Sequence, residues 1–242
     1  MSASGISAIT REIPYSGKCY LVLERYDAKS FFTEINKSVN AARKAGARLL
    51  YFSSRDRVFA QEADFRCGEY EFRFYSDFDV LEKVLTPEQG PAYRMKPLSP
   101  DNAPLYIALK NESFVEVPNA VTTDDEEIRR ILGGPYEAGF LMVGGEPQGT
   151  YELDFSAAVP EIAAVSIRPS HRGAGRGHMA MHTLEQYLFS RGACAAQLLV
   201  ASANTRACTL YHARGYRRAR HISRWYSVNR AVGESWPLDL SR

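Results

Sequence analysis

Residues 161–192 carry an apolar stretch, EIAAVSIRPS, then seven residues with three glycines, HRGAGRG, and then HMAMHTLEQYLFSRG. Met181, Leu184 and Leu188 recur at three- and four-residue intervals, which predicts a helix that buries one stripe, and Gly192 stops it. A strand running through a glycine turn directly into a helix sets the helix N-terminus at the carboxyl end of the strand. Gly173, Gly175 and Gly177 leave the backbone there uncovered. Unpaired N–H groups of the first helical turn, with the positive end of the helix dipole, make an anion site. The dinucleotide pattern GxGxxG fails, because counting from Gly173 its last position is His178; the Gly-Lys-Ser/Thr ending of a triphosphate loop is absent. What remains is Arg172-x-x-Gly175-x-Gly177: either a cradle for a pyrophosphate or a tight turn that carries charge.

The surroundings organise around that unit. Four prolines and a glycine in TPEQGPAYRMKPLSP, residues 86–100, mark a linker after a short helical run, DVLEKVL. This divides the chain into a small α/β domain at 1–90 and a second domain at 91–242. In the second domain Tyr93 to Leu98 reads as a strand. A helix follows in DNAPLYIALKNESF, with Asp101 placed to cap. TTDDEEIRRILGG is another helix, capped by Thr122 or Thr123. AGFLMVGGEPQGTYELDF is a hairpin closed by Gly-Gly-Glu-Pro. Beyond the quoted helix come a buried strand AQLLVAS, a short helix TRACTLYHARG and a strand-like YRRARHISRWYSV. The result is a mixed α/β layer, antiparallel through most of its first half.

In the first domain CYLVLERY is a strand, AKSFFTEINKSVNAARKAG a helix, ARLLYFSS a strand, and EYEFRFYSDF an alternating strand. The order repeats the end of the second domain, as a decayed duplication or as the ordinary outcome of any strand–helix–strand unit. DAKSFF, ahead of its helix, holds no glycine, so no row of bare N–H groups forms there.

Composition narrows the function classes. A formal net charge of +2 on 242 residues lacks the basic footprint of a nucleic-acid binder. Arg218, Arg220 and Arg224 alternate in the tail and read as one solvated strand face. The N-terminus has no apolar core with a cleavage site, and no apolar run is long enough to span a bilayer, so a cytoplasmic protein is expected. Cys19, Cys67, Cys194 and Cys208 are scattered, which fits reduced thiols and no metal site.

Taken in order, these motifs resemble the GNAT superfamily of acyl-CoA-dependent N-acyltransferases. Its signature Arg/Gln-x-x-Gly-x-Gly/Ala stands here as Arg172-Gly-Ala-Gly175-Arg-Gly177, between strand AAVSIRP and the helix. Downstream, NTRACTLYHARGY is similar to the family's Asn…Ala…Leu-Tyr-x-x-x-Gly-aromatic ending; upstream, YRMKPLSPDNAPLYIALKNESF and GGEPQGTYELDF resemble its opening strand, first helix and hairpin. The resemblance covers roughly residues 92 to 230 and implies a mixed, mostly antiparallel central sheet flanked by helices. On it, the first domain is a degenerate half of the same kind. Arg176 departs from the family's aliphatic residue and reads as an extra phosphate contact or an exposed side chain.

The resemblance implies an N-acetyltransferase that uses acetyl-CoA as co-substrate and a primary amine of a small molecule or peptide as acceptor. Main-chain groups of Val165, Ser166 and Ile167 would bond the pantetheine arm beside a splay in the sheet. Arg172, Gly173, Ala174, Gly175, Arg176, Gly177 and His178 would hold the pyrophosphate. His171 would face the phosphate end. Asn204 would bond pantetheine or water, or simply cap its helix. Tyr211, seven residues after Asn204, matches the family's general acid; the other reading is a packed helix tyrosine. Glu161, eleven residues before Arg172, has the register of the histone-acetyltransferase base, or is a solvated strand-end acid. Glu112, Glu116 and the run Asp124 to Glu127 flank the family's acceptor loop and hint at a cationic acceptor, or complement a helix dipole. Two other uses stay open: a non-catalytic acyl-CoA sensor, and a first domain that serves as a scaffold, an acceptor-site wall or a homodimer surface.

Overall fold

Gly144 and Gly145 adopt φ of 56° and 87°, the left-handed pair that a two-residue hairpin turn needs. They join β7 (Tyr136–Val143) to β8 (Glu146–Asp154). Alternation along β7 then sends Phe140 into one core and Leu141 into another, so this sheet is covered on both faces. The computed structural model describes residues 5–54, 64–115, 117 and 120–230. They fall into two units, divided between residues 78 and 79 and between residues 220 and 221, with the chain's first and last described segments in the same unit.

In the second unit β6 (Arg94–Pro97), β7, β8 and β9 (Glu161–Ile167) pair antiparallel, and β10 (Ala195–Ala201) joins β9 in parallel. The order is β5-β10-β9-β8-β7-β6. The strand beside β10 is the end of β5 (Tyr70–Val84), from upstream of everything else in the sheet. On one face lie α5 (Arg176–Ser190) and α6 (Thr205–Ala213). Met181, Leu184 and Leu188 of α5 are fully buried there against Leu141, Leu153, Ile162 and Leu198. α3 (Ala103–Phe114) and α4 (Asp125–Gly133) pack on the other, where Tyr106, Leu109, Ile128 and Ile131 meet Phe140. On that face Glu152 is buried between Lys110, at 2.7 Å, and Arg130, at 3.1 Å. The mixed, mostly antiparallel sheet flanked by helices matches the expected fold class.

In the first unit the order is β1 (Gly5–Ile9), β2 (Lys18–Arg25), β3 (Leu49–Ser54), β11 (Arg217–Arg230) and β5, with β4 (Phe65–Cys67) paired to β5. The short α1 (Ile13–Ser16) precedes β2, and α2 (Phe31–Lys44) buries Phe31, Ile35 and Val39 against the sheet.

Several expectations are corrected. DVLEKVL is not helical: residues 79–84 continue β5. Val80 and Leu81 are both 3% exposed, as consecutive residues are in a central strand that is covered on both faces. The boundaries between the two units fall between Phe78 and Asp79 and between Arg220 and His221. Asp101 lies inside a 3-10 turn at Pro100–Asn102, where Asn102 Oδ1 accepts from the Ser99 N–H at 2.9 Å. The cap of α4 is Asp124, whose side chain accepts from the Glu127 N–H at 3.0 Å. Nor are the tail arginines one solvated face. Arg224 is buried and gives Asp77 two hydrogen bonds, at 2.8 and 2.9 Å.

Gly149 of β8 lies so close to β9 that an added Cβ would be 2.0 Å from the Ser166 carbonyl oxygen. Gly149→Ala should lower the thermal unfolding midpoint by roughly 4 °C or more, as read by circular dichroism; an unchanged midpoint would show that the two strands can part at no cost.

Candidate active site

After β9 the chain makes a 3-10 turn at Pro169–His171 and then takes positive φ at three successive residues: 97° at Gly173, 47° at Ala174 and 73° at Gly175. Gly175 is the N-cap of α5, so the helix starts at Arg176. The Arg176 N–H donates to Gly173 O and the Met179 N–H to Gly175 O, both at 3.0 Å. The N–H groups of Gly173, Ala174, Gly175, Gly177 and His178 make no backbone hydrogen bond among the described residues. A run of unbonded N–H groups at the positive end of a fifteen-residue helix is the kind of cradle that can hold an anion. A Cβ added at Gly173 or Gly175 would meet nothing within 4 Å; the approach is open. At Gly177 it would sit 3.2 Å from Leu210, so this glycine serves the packing of α5 on α6.

Arg172 supports the cradle from behind. Its Nε donates to Ile167 O at 3.1 Å and its Nη2 to Ser113 O at 2.8 Å, tying the turn to β9 and to one of the last carbonyls of α3. Arg176 is half-buried and donates to Gln148 Oε1 of β8, so it is not the exposed side chain that one reading allowed. His178 is exposed. With Ala174, Gly175, Arg176, His182 and the segment Glu88–Pro91, it lines a cavity of about 480 Å³. The glycine pattern gave no sign of that second wall. It is held by Tyr93 N–H on Thr183 Oγ1 at 2.9 Å and Glu88 N–H on Gln186 Oε1 at 3.0 Å. Glu88 is kept below the ordinary carboxylate range, against its partial burial, by Arg214 and Lys83.

On the other side of the turn the sheet opens. β9 and β10 are seven residues each, yet their ladder has a single register pair, Gln197 with Glu161. The β8–β9 ladder has six pairs and a bulge, with Ala163 unmatched between Glu152↔Ala164 and Leu153↔Ile162. The bulge sets Glu161 on the same face as Ala164 and Ser166. Ser166 is buried and its hydroxyl lies 2.8 Å from that of Thr150. Val165 and Ile167 pack toward the core under α5, half-buried. Leu199, 44% exposed, stands on β10 where the ladder has ended.

Asn204 is the N-cap of α6, its side chain accepting from the Ala207 N–H at 3.2 Å. Tyr211 packs against the core beneath α5, with its ring centroid 6.0 Å from that of Tyr216. Its hydroxyl makes no hydrogen bond among the described residues, and burial pushes its pKa up to about 12. Glu161 lies on the opposite face, beside Asp154 and Glu152; burial raises its pKa, the two acids add to this, and Arg220 opposes it. Glu112 pairs loosely with Arg168 at 3.5 Å, and Asp125, Glu126 and Glu127 fill the first turn of α4, where they complement its dipole. Glu116 lies outside the described residues.

Cradle, open ladder and unpartnered phenol sit on two consecutive βα units, β9–α5 and β10–α6. A family model described as the acetyltransferase (GNAT) family matches residues 104–216. Those residues form a GNAT acetyltransferase domain. Solved structures agree on the fold. A GCN5-related N-acetyltransferase from Sphaerobacter thermophilus is 15% identical, with a TM-score of 0.60 over 94% of this chain and 76% of its own. One from Kribbella flavida is 16% identical, with a TM-score of 0.58 over 96% and 89%. A tandem GNAT protein from the clavulanic acid biosynthesis pathway is 13% identical, with a TM-score of 0.50 over 89% and 76%. No curated protein matches in sequence. The family whose model these residues match is one of acyltransferases that use acyl-CoA.

Because Arg172 is engaged by carbonyls, its loss should act through the turn. Arg172→Ala should cost about 1.5–3 kcal/mol of stability, read from urea unfolding, and Arg172→Lys should recover less than half, since an ammonium cannot span both acceptors. Full recovery by lysine would mean that only the charge matters.

Proposed function

We propose that residues 79–220 transfer an acetyl group from acetyl-CoA to a primary amine of a small molecule or peptide, by direct attack within a ternary complex. The observation that carries this reading is the set of five N–H groups at the head of α5 with no backbone acceptor among the described residues, which suits the pyrophosphate of a coenzyme. The gap where the β9–β10 ladder stops gives an extended pantetheine arm main-chain groups to bond.

An amine with a pKa near ~10.4 needs about 4–5 kcal/mol to shed its proton at neutral pH. Glu161, directly or through water, takes that proton, and its raised pKa makes it a better acceptor than a free glutamate. The amine nitrogen then bonds to the thioester carbonyl carbon, the C–S bond breaks, the thiolate takes the Tyr211 proton, and the second proton shed by the acylated nitrogen returns to the tyrosinate. Tyr211 holds that proton throughout the neutral range. Acid and base stand on opposite faces of the sheet, so this reading requires a substrate that lies across the β9–β10 opening.

A panel of amines, antibiotics, amino acids and N-terminal peptides with acetyl-CoA, read by free thiol, tests the activity. Tyr211→Phe should lower kcat ~100-fold or more with acetyl-CoA affinity within about twofold; equal, slow thiol release from both proteins would favour a sensor. Glu161→Gln should remove the acidic limb of the kcat/KM profile. That limb should lie above the ordinary glutamate range, since activity is lost as pH falls through the raised pKa.

A further inference from the structure

The register of β8 on β9 sets Asp154 directly opposite Glu161. Directly opposed residues carry their Cβ atoms about 4.5–5.5 Å apart, and a negative charge so placed disfavours the ionised form of the carboxyl facing it. The Asp154 carboxylate is fixed, because its Oδ1 accepts from the Ser156 N–H at 2.7 Å. We propose that Asp154 is a positioning residue that makes Glu161 a stronger base, by facing it across the two strands as a second negative charge. The proposal rests on Glu161 acting as the base.

The other groups around Glu161 do not supply this effect as directly. Glu152, two residues from Asp154 on the same strand face, is already compensated by Lys110 at 2.7 Å and Arg130 at 3.1 Å. Arg220, from β11, acts in the opposite sense. Gln197, the neighbour on β10, is neutral, and its Nε2 donates to Val159 O at 3.2 Å. Asp154 has no such cation within ion-pair distance among the described residues, so its charge acts on Glu161 uncompensated. A burial-only account would leave Asp154 without influence, and that difference can be measured without knowing the acceptor.

The full chain, labelled with 13Cδ-glutamate, is titrated by NMR, and the Glu161 signal is assigned by its absence in Glu161→Gln. In the parent protein it should titrate above ~4.3. Asp154→Asn, which keeps the acceptor oxygen for Ser156, should lower the midpoint by about 0.5–1 pH unit; Asp154→Glu, which keeps the charge, should leave it raised. An unchanged midpoint in Asp154→Asn overturns the proposal, and if Glu161→Gln is still inactive the base assignment survives that result. A full shift together with an active Glu161→Gln overturns the base assignment and leaves only the pairing of the two carboxyls.

Discussion

Five N–H groups at the head of α5 have no backbone acceptor within the described chain, and the remainder of the acyltransferase unit is arranged around keeping them so. An orphaned donor is costly unless water or a ligand satisfies it. Three successive positive φ angles hold the main chain open, and Arg172 clamps the turn to β9 and α3 so that it cannot relax into ordinary helix. The bare glycines at 173 and 175 keep the approach clear. The third glycine, at 177, has another purpose, since it lets α5 and α6 close on each other and so brings Tyr211 under the same helix that carries the cradle.

A second constraint is the bulge at Ala163. Without it, the side chains of β9 would keep one alternation throughout, and a residue at the start of the strand would point with Val165 and Ile167 into the apolar core. The extra residue turns Glu161 to the same face as Asp154 and as Glu152 with the two cations that answer Glu152. One inserted residue therefore separates the greasy side of the strand from the side where a proton can be handled.

Much of this was legible in the sequence because long, strongly patterned segments carry it. The stripe Met181, Leu184, Leu188 and the stop at Gly192 define α5, and the Gly-Gly pair defines the hairpin. DVLEKVL was misread because apolar residues at positions 80, 81, 84 and 85 fit a helical turn as well as a strand covered on both faces, and seven residues are too few to choose. Caps shifted by one or two residues, from Asp101 and Thr122 or Thr123 to Asn102 and Asp124, because several neighbouring side chains can serve. The segment Glu88–Pro91 as a wall of the cavity, and Arg172 as a brace, depend on contacts between residues far apart in the chain, such as Tyr93 with Thr183. No local pattern records those.

The strand that lies beside β10 is made more than a hundred residues before β10 itself. During synthesis it must wait, its hydrogen-bonding edge unclaimed, until nearly all of the unit has emerged. A chain cut at the proline-rich linker would lose it and leave β10 as a raw border open to any passing strand. A cut at the proline-rich linker therefore does not release a complete acyltransferase unit, because residues 79–84 lie upstream of it and belong to that unit.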